Sequence, residues 1–180
     1  LVTDHDDWGF LSGGCIEADV AIHARTALAD GQARLLRYGQ GSPWIDIKLA
    51  CGSGISVLVE PVDAHEAAVA TALDGWRMRK PVLWSSDGRS RVATISEIAH
   101  ADQWDGQRYT RFFNPPVRLV LVGEDGAALT AATLAQAMGW QVVLVAPGGP
   151  AAPPYPHITY HHGDPTAAFE AIGIDRWTAI

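Results

Sequence analysis

The sequence predicts an α/β protein in two units, a mixed α/β domain over residues 1–113 and a Rossmann-like parallel βαβ domain over residues 114–180. Three observations carry that prediction. Short β-branched runs alternate with segments of helical spacing along the chain. The pair Pro115-Pro116 then interrupts the alternation after Asn114, and consecutive prolines cannot extend a helix and bias the preceding residue towards extended backbone. Beyond that linker, strand, glycine turn, helix and strand follow within about thirty residues, the pattern of a parallel crossover unit. With 180 residues and 48% hydrophobic content, the chain can bury one good core or two small ones.

In order, Ile16, Val20, Ala24, Ala27 and Leu28 recur at helical spacing after Gly13-Gly14, and Gly31 stands where that helix should stop. Strands are expected at Arg34 to Tyr38, Trp44 to Lys48 and Ile55 to Val59, the last closed by Pro61. Asp63 is placed to cap a helix from Ala64 to Leu73, ending at Asp74-Gly75. Pro81 to Trp84 and Arg91 to Ile95 then read as a hairpin around Ser85-Ser86-Asp87-Gly88. After the linker come a strand (Val117 to Val122), an alanine-rich helix (Ala127 to Met138) and a strand (Gln141 to Val145). A proline-rich loop follows, then Ile158 to His161, a helix from Thr166 to Ala171, and an apolar strand beginning at Trp177.

A net charge of −7 disfavours nonspecific nucleic-acid binding, which rests on cationic contacts to phosphate. The densest basic spots, Arg77 to Lys80 and Arg108 to Arg111, read as solvated faces. No run approaches the ~20 apolar residues that cross a bilayer, and no signal-peptide pattern is present, so a soluble, cytoplasmic protein is expected. The two cysteines are far from any C-x-x-C spacing, which argues against a disulfide scaffold or a structural zinc site.

Each cysteine sits inside a glycine cluster, Ser12-Gly13-Gly14-Cys15-Ile16-Glu17 and Cys51-Gly52-Ser53-Gly54, and each cluster abuts a regular element. Glycine permits positive φ and close approach by another group, so a thiol framed by glycines is accessible. Cys15 falls at a helix N-terminus, where the dipole and unpaired N–H groups favour thiolate and bind anions. Gly13, Gly14, Gly52 and Gly54 offer backbone N–H groups to oxyanions. With Gly14 as N-cap, Glu17 takes the third helical position and bonds back to the cap; its alternative roles are general base or ligand contact. Cys51 precedes a strand and stands at a sheet rim, as a ligand or as a packing residue.

These stretches resemble the xanthine dehydrogenase accessory family (XdhC/CoxI-like): Gly9 to Glu17 followed by a helix, Cys51 to Pro61, and the βαβ-like segment from Val117 onward. The resemblance implies an accessory protein, a binder rather than a catalyst. It would bind molybdenum cofactor, protect it during sulfuration, and pass it to an apo molybdenum hydroxylase such as a xanthine or carbon monoxide dehydrogenase, with a cysteine desulfurase as sulfur donor. Residues 1–113 would then be the cofactor-handling domain. Cys15 and Cys51 would contact the molybdenum through the cofactor, alongside Gly13, Gly14, Glu17, Gly52 and Gly54. A homodimer is left open. By the same resemblance, the chain reads as lacking a glycine-rich piece before Leu1 and the rest of the second domain after Ile180.

Two rival functions are an NAD(P)-dependent oxidoreductase working through the second unit and an interaction module with structural cysteines. A dinucleotide fingerprint wants G-x-G-x-x-G with an acid after the next strand. Here the turn is Gly123-Glu124-Asp125-Gly126, Asp125 replaces the second glycine, and the strand ends Val145-Ala146-Pro147. Two carboxylates beside a pyrophosphate repel it, so NAD(P) binding is not expected. His161-His162 on a strand would point to opposite faces, and Asp4-His5-Asp6-Asp7 reads as a solvated loop. Trp8 and Trp44 lie near the cysteine motifs and suit either a pterin face or packing.

Overall fold

A computed structural model describes residues 1–40, 42, 54–98, 101–156 and 158–180. The chain divides into two compact units, Leu1–Phe113 and Asn114–Ile180. Trp44 to Lys48, Cys51 and Gly52 lie outside the described residues.

In the first unit, α1 (Glu17–Asp30) ends at Gly31, whose φ of 71° lets its N–H return to Ala27 O. It packs on the antiparallel pair β1 (Arg34–Gly39) and β2 (Gly54–Val59). Ile16, Val20 and Ala27 meet Leu36, Tyr38 and Val59 in one buried cluster. Alternation along β1 sends Leu36 and Tyr38 into this core and leaves Leu35 and Arg37 on the opposite face. Tyr38 is fully buried, and its hydroxyl donates to Asp19 Oδ2 at 2.6 Å, tying strand to helix. Burial next to that carboxylate pushes the phenol's pKa well up.

The rest of the unit is a second antiparallel sheet, order β4-β3-β6-β5, built from β3 (Val82–Ser86), β4 (Arg91–Ile95), β5 (Gln103–Trp104) and β6 (Tyr109–Phe113). β3 and β4 form the expected hairpin, with Val82 opposite Ile95 and Ser86 opposite Arg91. β5 and β6 were not expected. Part of β6 coincides with the basic stretch Arg108 to Arg111, where the arginines are partnered across the surface, Arg108 with Asp87 and Arg111 with Asp102.

Helix α2 (Ala67–Arg77) covers β3 and β4, and here the sequence reading needs correction at both ends. Asp63 does not cap it. Glu66 is the N-cap, while Asp63 closes the preceding turn by accepting from His65 N–H. Gly75 does not terminate it either; the left-handed residue after the helix is Arg79. Gly75 is glycine because the strand lies against it: a Cβ there would stand 2.2 Å from Val82 Cγ2.

One buried ion cluster links the two layers of this unit. Arg91, on β4, directs Nη1 to both oxygens of Glu66 at 2.7 and 2.8 Å, and Nη2 to Pro61 O. Its Nε lies 3.1 Å from Glu60 Oε2 without the alignment of a hydrogen bond. The fully buried Ser86 hydroxyl donates to the same Glu60 oxygen and accepts from Gly88 N–H.

The second unit is a parallel sheet of order β10-β7-β8-β9, from β7 (Arg118–Val122), β8 (Gln141–Ala146), β9 (Thr159–His162) and β10 (Thr178–Ala179). Read from β9, this is the 3-2-1-4 order of a doubly wound half. Helix α3 (Gly126–Ala137) packs on one face through Ala132 and Ala135 against Val142. Helix α4 (Pro165–Ile172) packs on the other through Ala168 against Val120, Val143 and Val145. A strand covered on both faces reads as a continuous apolar run, as Gln141–Ala146 does.

Gly75→Ala should destabilise the protein by about 1–3 kcal/mol, because overpacking against the stiff, buried Val82 outweighs the roughly 1 kcal/mol of helix propensity that alanine adds. Urea denaturation should show a lower midpoint with an unchanged slope.

Candidate functional site

The glycine segment before α1 is organised by a single carboxylate. Gly13 and Gly14 have φ of 76° and 110°, so the chain turns through conformations that side-chain-bearing residues rarely adopt. The turn brings successive amides onto Glu17. Its Oε1 accepts from Leu11 N–H at 2.9 Å and Ser12 N–H at 2.7 Å. Its Oε2 accepts from Gly14 N–H at 2.9 Å, Ile16 N–H at 3.1 Å and the Ser12 hydroxyl at 2.9 Å. Ser12 Oγ in turn accepts from Cys15 and Ile16 N–H at 3.1 and 3.2 Å.

These contacts revise the cap geometry read from the sequence. Ile16, not Gly14, is the N-cap, and Glu17 is the first helical residue rather than the third. From that position the carboxylate gathers the amides of the preceding loop. The backbone N–H groups of Ser12 and Leu11 hold its pKa far below the carboxylate range. With five hydrogen bonds accepted from the loop, the carboxylate is committed to holding that segment. The same contacts remove Gly14 N–H as a ready donor to a bound oxyanion, since Glu17 already occupies it; Gly13 N–H is not among Glu17's donors.

Cys15 is carried on this braced loop and is exposed. Trp8, Phe10 and Leu11, which lead into it, are also exposed, and Phe10 is 89% so. Gly54 opens β2 opposite Gly39, and a Cβ there would stand 2.9 Å from Gln40 O. Its small size therefore serves strand closure. Whether Cys51 and Gly52 face Cys15 lies outside the described residues. Among the described residues, no three of His, Cys, Asp and Glu are grouped to hold a metal ion. His161 and His162 are successive residues of β9 and so face opposite sides of the sheet.

In the second unit, Asp125 is the N-cap of α3, its side chain accepting from Ala128 N–H at 2.8 Å. Glu124 Oε2 accepts from Gly148 N–H at 3.0 Å, bracing the turn against the loop after β8. The helix N-terminus where a pyrophosphate would sit is thus occupied by the chain's own carboxylate. Sequence reasoning identified the two acids but not these contacts. It also missed the Arg91 cluster, whose members are far apart in the chain and carry no local signal.

The Glu17 bonds give a pH dependence of defined sign. Because the folded pKa is depressed, the stabilisation is complete above the ordinary glutamate range and is lost only as pH falls through the lower folded value. At about pH 4, where a free glutamate is close to half protonated, the Ser12 and Gly14 amides should stay protected from hydrogen exchange. Glu17→Gln, with one acceptor oxygen in place of two, should expose part of this set at every pH, and Cys15 should then react faster with a thiol reagent.

With the geometry described, the chain can be compared with known proteins. Residues 1–39 match the XdhC and CoxI family. The chain is 35% identical over 132 residues to the molybdenum cofactor insertion chaperone PaoD of Escherichia coli K12, a match covering 73% of this chain and 41% of that protein. The chain therefore corresponds to well under half of that relative's length. A crystal structure described as a xanthine dehydrogenase from Bacillus halodurans superimposes with a TM-score of 0.67 over 96% of this chain and 60% of that one, at 22% identity. That second likeness establishes shared fold. No helix among the described residues is long and apolar enough to cross a membrane. The glycine–cysteine loop ahead of α1 thus lies within the residues that match the XdhC and CoxI family, and the likeness to the insertion chaperone extends over 132 residues.

Proposed function

We propose that this protein is an accessory factor that binds molybdenum cofactor as cargo and inserts it into a molybdenum hydroxylase. The observation that carries the reading is the exposed Cys15 on a loop held rigid by Glu17, within the residues that match the family. The likeness to a molybdenum cofactor insertion chaperone supports it. A thiol can meet soft metal or sulfur chemistry, and the dithiolene-bound metal of the cargo offers both. Cys15 would contact that face, joined by Cys51. Glu17 would contribute by keeping the loop in one conformation, so that little ordering entropy opposes binding.

The finer steps of this proposal are protection during sulfuration by a cysteine desulfurase, delivery to an apo-enzyme of the xanthine or carbon monoxide dehydrogenase kind, and action in the reducing cytoplasm. The first unit would handle the cofactor. The second would serve as scaffold or docking domain, because the Asp125 cap and the Glu124 brace occupy the turn that a dinucleotide would need. The oxyanions of the cargo would have to displace Glu17 to use Gly14 N–H, so their contacts are expected elsewhere on the unit.

Ultrafiltration of the full-length protein with molybdenum cofactor, followed by molybdenum quantification, tests the reading. Wild type should retain near-stoichiometric metal, and Cys15→Ala and Cys51→Ala should each bind at least about tenfold more weakly, the scale of losing a metal-site contact. A folded wild type that retains none would overturn it and favour an interaction module.

A further inference from the structure

The opposite face of the β1–β2 hairpin forms one wall of an open cleft of about 790 Å³, closed on the other side by the β3–β4 turn and Trp104 of β5. An adjoining cavity of about 290 Å³ shares Leu35, Leu58 and Trp104 with it and extends to Leu11 and Tyr109. Together they have the size of a small-ligand site, with an apolar floor and polar rims. The close approach at this junction is allowed by a missing side chain. Gly88, at φ 84°, lies so close to the α1–β1 connection that a Cβ would stand 2.9 Å from the Ala33 Cβ.

Arginines and carboxylates are interleaved around the cleft. In a chain of net charge −7 with 13 basic residues, six of them gather around these cavities: Arg34, Arg37, Arg89, Arg91, Arg108 and Arg111. Four have carboxylate partners. Asp30 holds Arg34, Glu60 and Glu66 hold Arg91, Asp87 holds Arg108, and Asp102 lies 3.9 Å from Arg111. Arg89 and Arg37 have none among the described residues. Arg89 stands in the turn that lines the larger cavity, and Arg37 donates to Ser56 Oγ at the edge of the smaller. The cleft thus presents an aromatic ring and two aliphatic side chains beside Arg89, which has no carboxylate partner among the described residues. A guanidinium suits phosphate, and a tryptophan face suits a planar ring.

We infer that this cleft binds a planar heteroaromatic that carries a phosphate, the ring laid against Trp104, Leu35 and Leu58 and the phosphate met by Arg89. A phosphorylated pterin and a purine nucleotide share this chemistry. The inference goes beyond the thiol reading, since it does not involve Cys15.

Calorimetric titration of the full-length protein with GMP, neopterin monophosphate and inorganic phosphate tests it. GMP or the pterin should bind saturably, with affinity falling as salt is added. Trp104→Leu and Arg89→Ala should each weaken binding by about tenfold, equal to 1.4 kcal/mol, within the range of one lost stacking or charge-assisted contact. Cys15→Ala should leave it unchanged. Both substituted side chains lie at the surface, and unaltered thermal melting would establish that the variants fold. Tighter binding of the pterin would tie the cleft to the proposed cargo, and tighter binding of GMP would give it a nucleotide of its own; either supports the inference. Absence of saturable binding by both ring compounds, wild-type affinity in either variant, or inorganic phosphate binding as tightly as GMP would overturn it. Loss of molybdenum on Cys15→Ala reports on the carrier function separately, so the two readings can fail independently.

Discussion

The carboxylate of Glu17 is the interaction on which the first unit's surface chemistry depends. Without it, a segment containing Gly13 and Gly14 has many conformations open to it, and glycine loses more backbone freedom on ordering than any other residue. With it, four backbone N–H groups and a hydroxyl converge on one side chain. The anion also stands at the start of α1, where the helix dipole favours negative charge. One residue therefore begins the helix and fixes the loop before it. Cys15 is exposed yet positioned, a combination that neither glycine content nor helix position alone supplies.

Behind that loop, buried polar contacts hold the layers in register. Tyr38 and Asp19 connect β1 to α1, and Arg91 connects β4 to the end of β2 and the start of α2. Buried ion pairs contribute little net stability against hydrophobic replacements of the same shape, whereas loss of one partner costs several kcal/mol. Their value here is geometric. Arg91 also lines the cleft beside Trp104, next to the β3–β4 turn whose Gly88 closely approaches Ala33. In the second unit, the carboxylates of Asp125 and Glu124 likewise complete the chain's own structure. The same chemistry, an acid satisfying backbone amides at a helix start, closes a turn there and shapes an accessible loop in the first unit.

Much of the fold was legible in the sequence because periodicity is local. The helical spacing from Ile16 to Leu28, the β-branched run at Ile55 to Val59 and the strand–helix–strand pattern after Pro116 each report the face a segment must bury. The misreadings also have local causes. Asp74-Gly75 has the composition of a helix stop, but Gly75 is small because of Val82 on another element. The polar segment around Arg108 lacks an apolar pattern, yet it enters β6 because β3 offers it an edge.

The sequence by itself determined which reactive groups stand at the turns: the thiol among glycines, the acid three residues beyond Gly14, and the acids that replace a dinucleotide fingerprint. These follow from residue type and spacing. Tertiary structure alone decided what those groups do. Glu17 bonds the loop amides rather than standing free, Gly14 N–H is engaged, and arginines from three strands and a turn line the cavities that share Trp104. Such contacts join residues far apart in the chain, and hydrogen bonds and charge pairs form only where the folded backbone brings them within about 3 Å. Spacing in the sequence does not encode that distance.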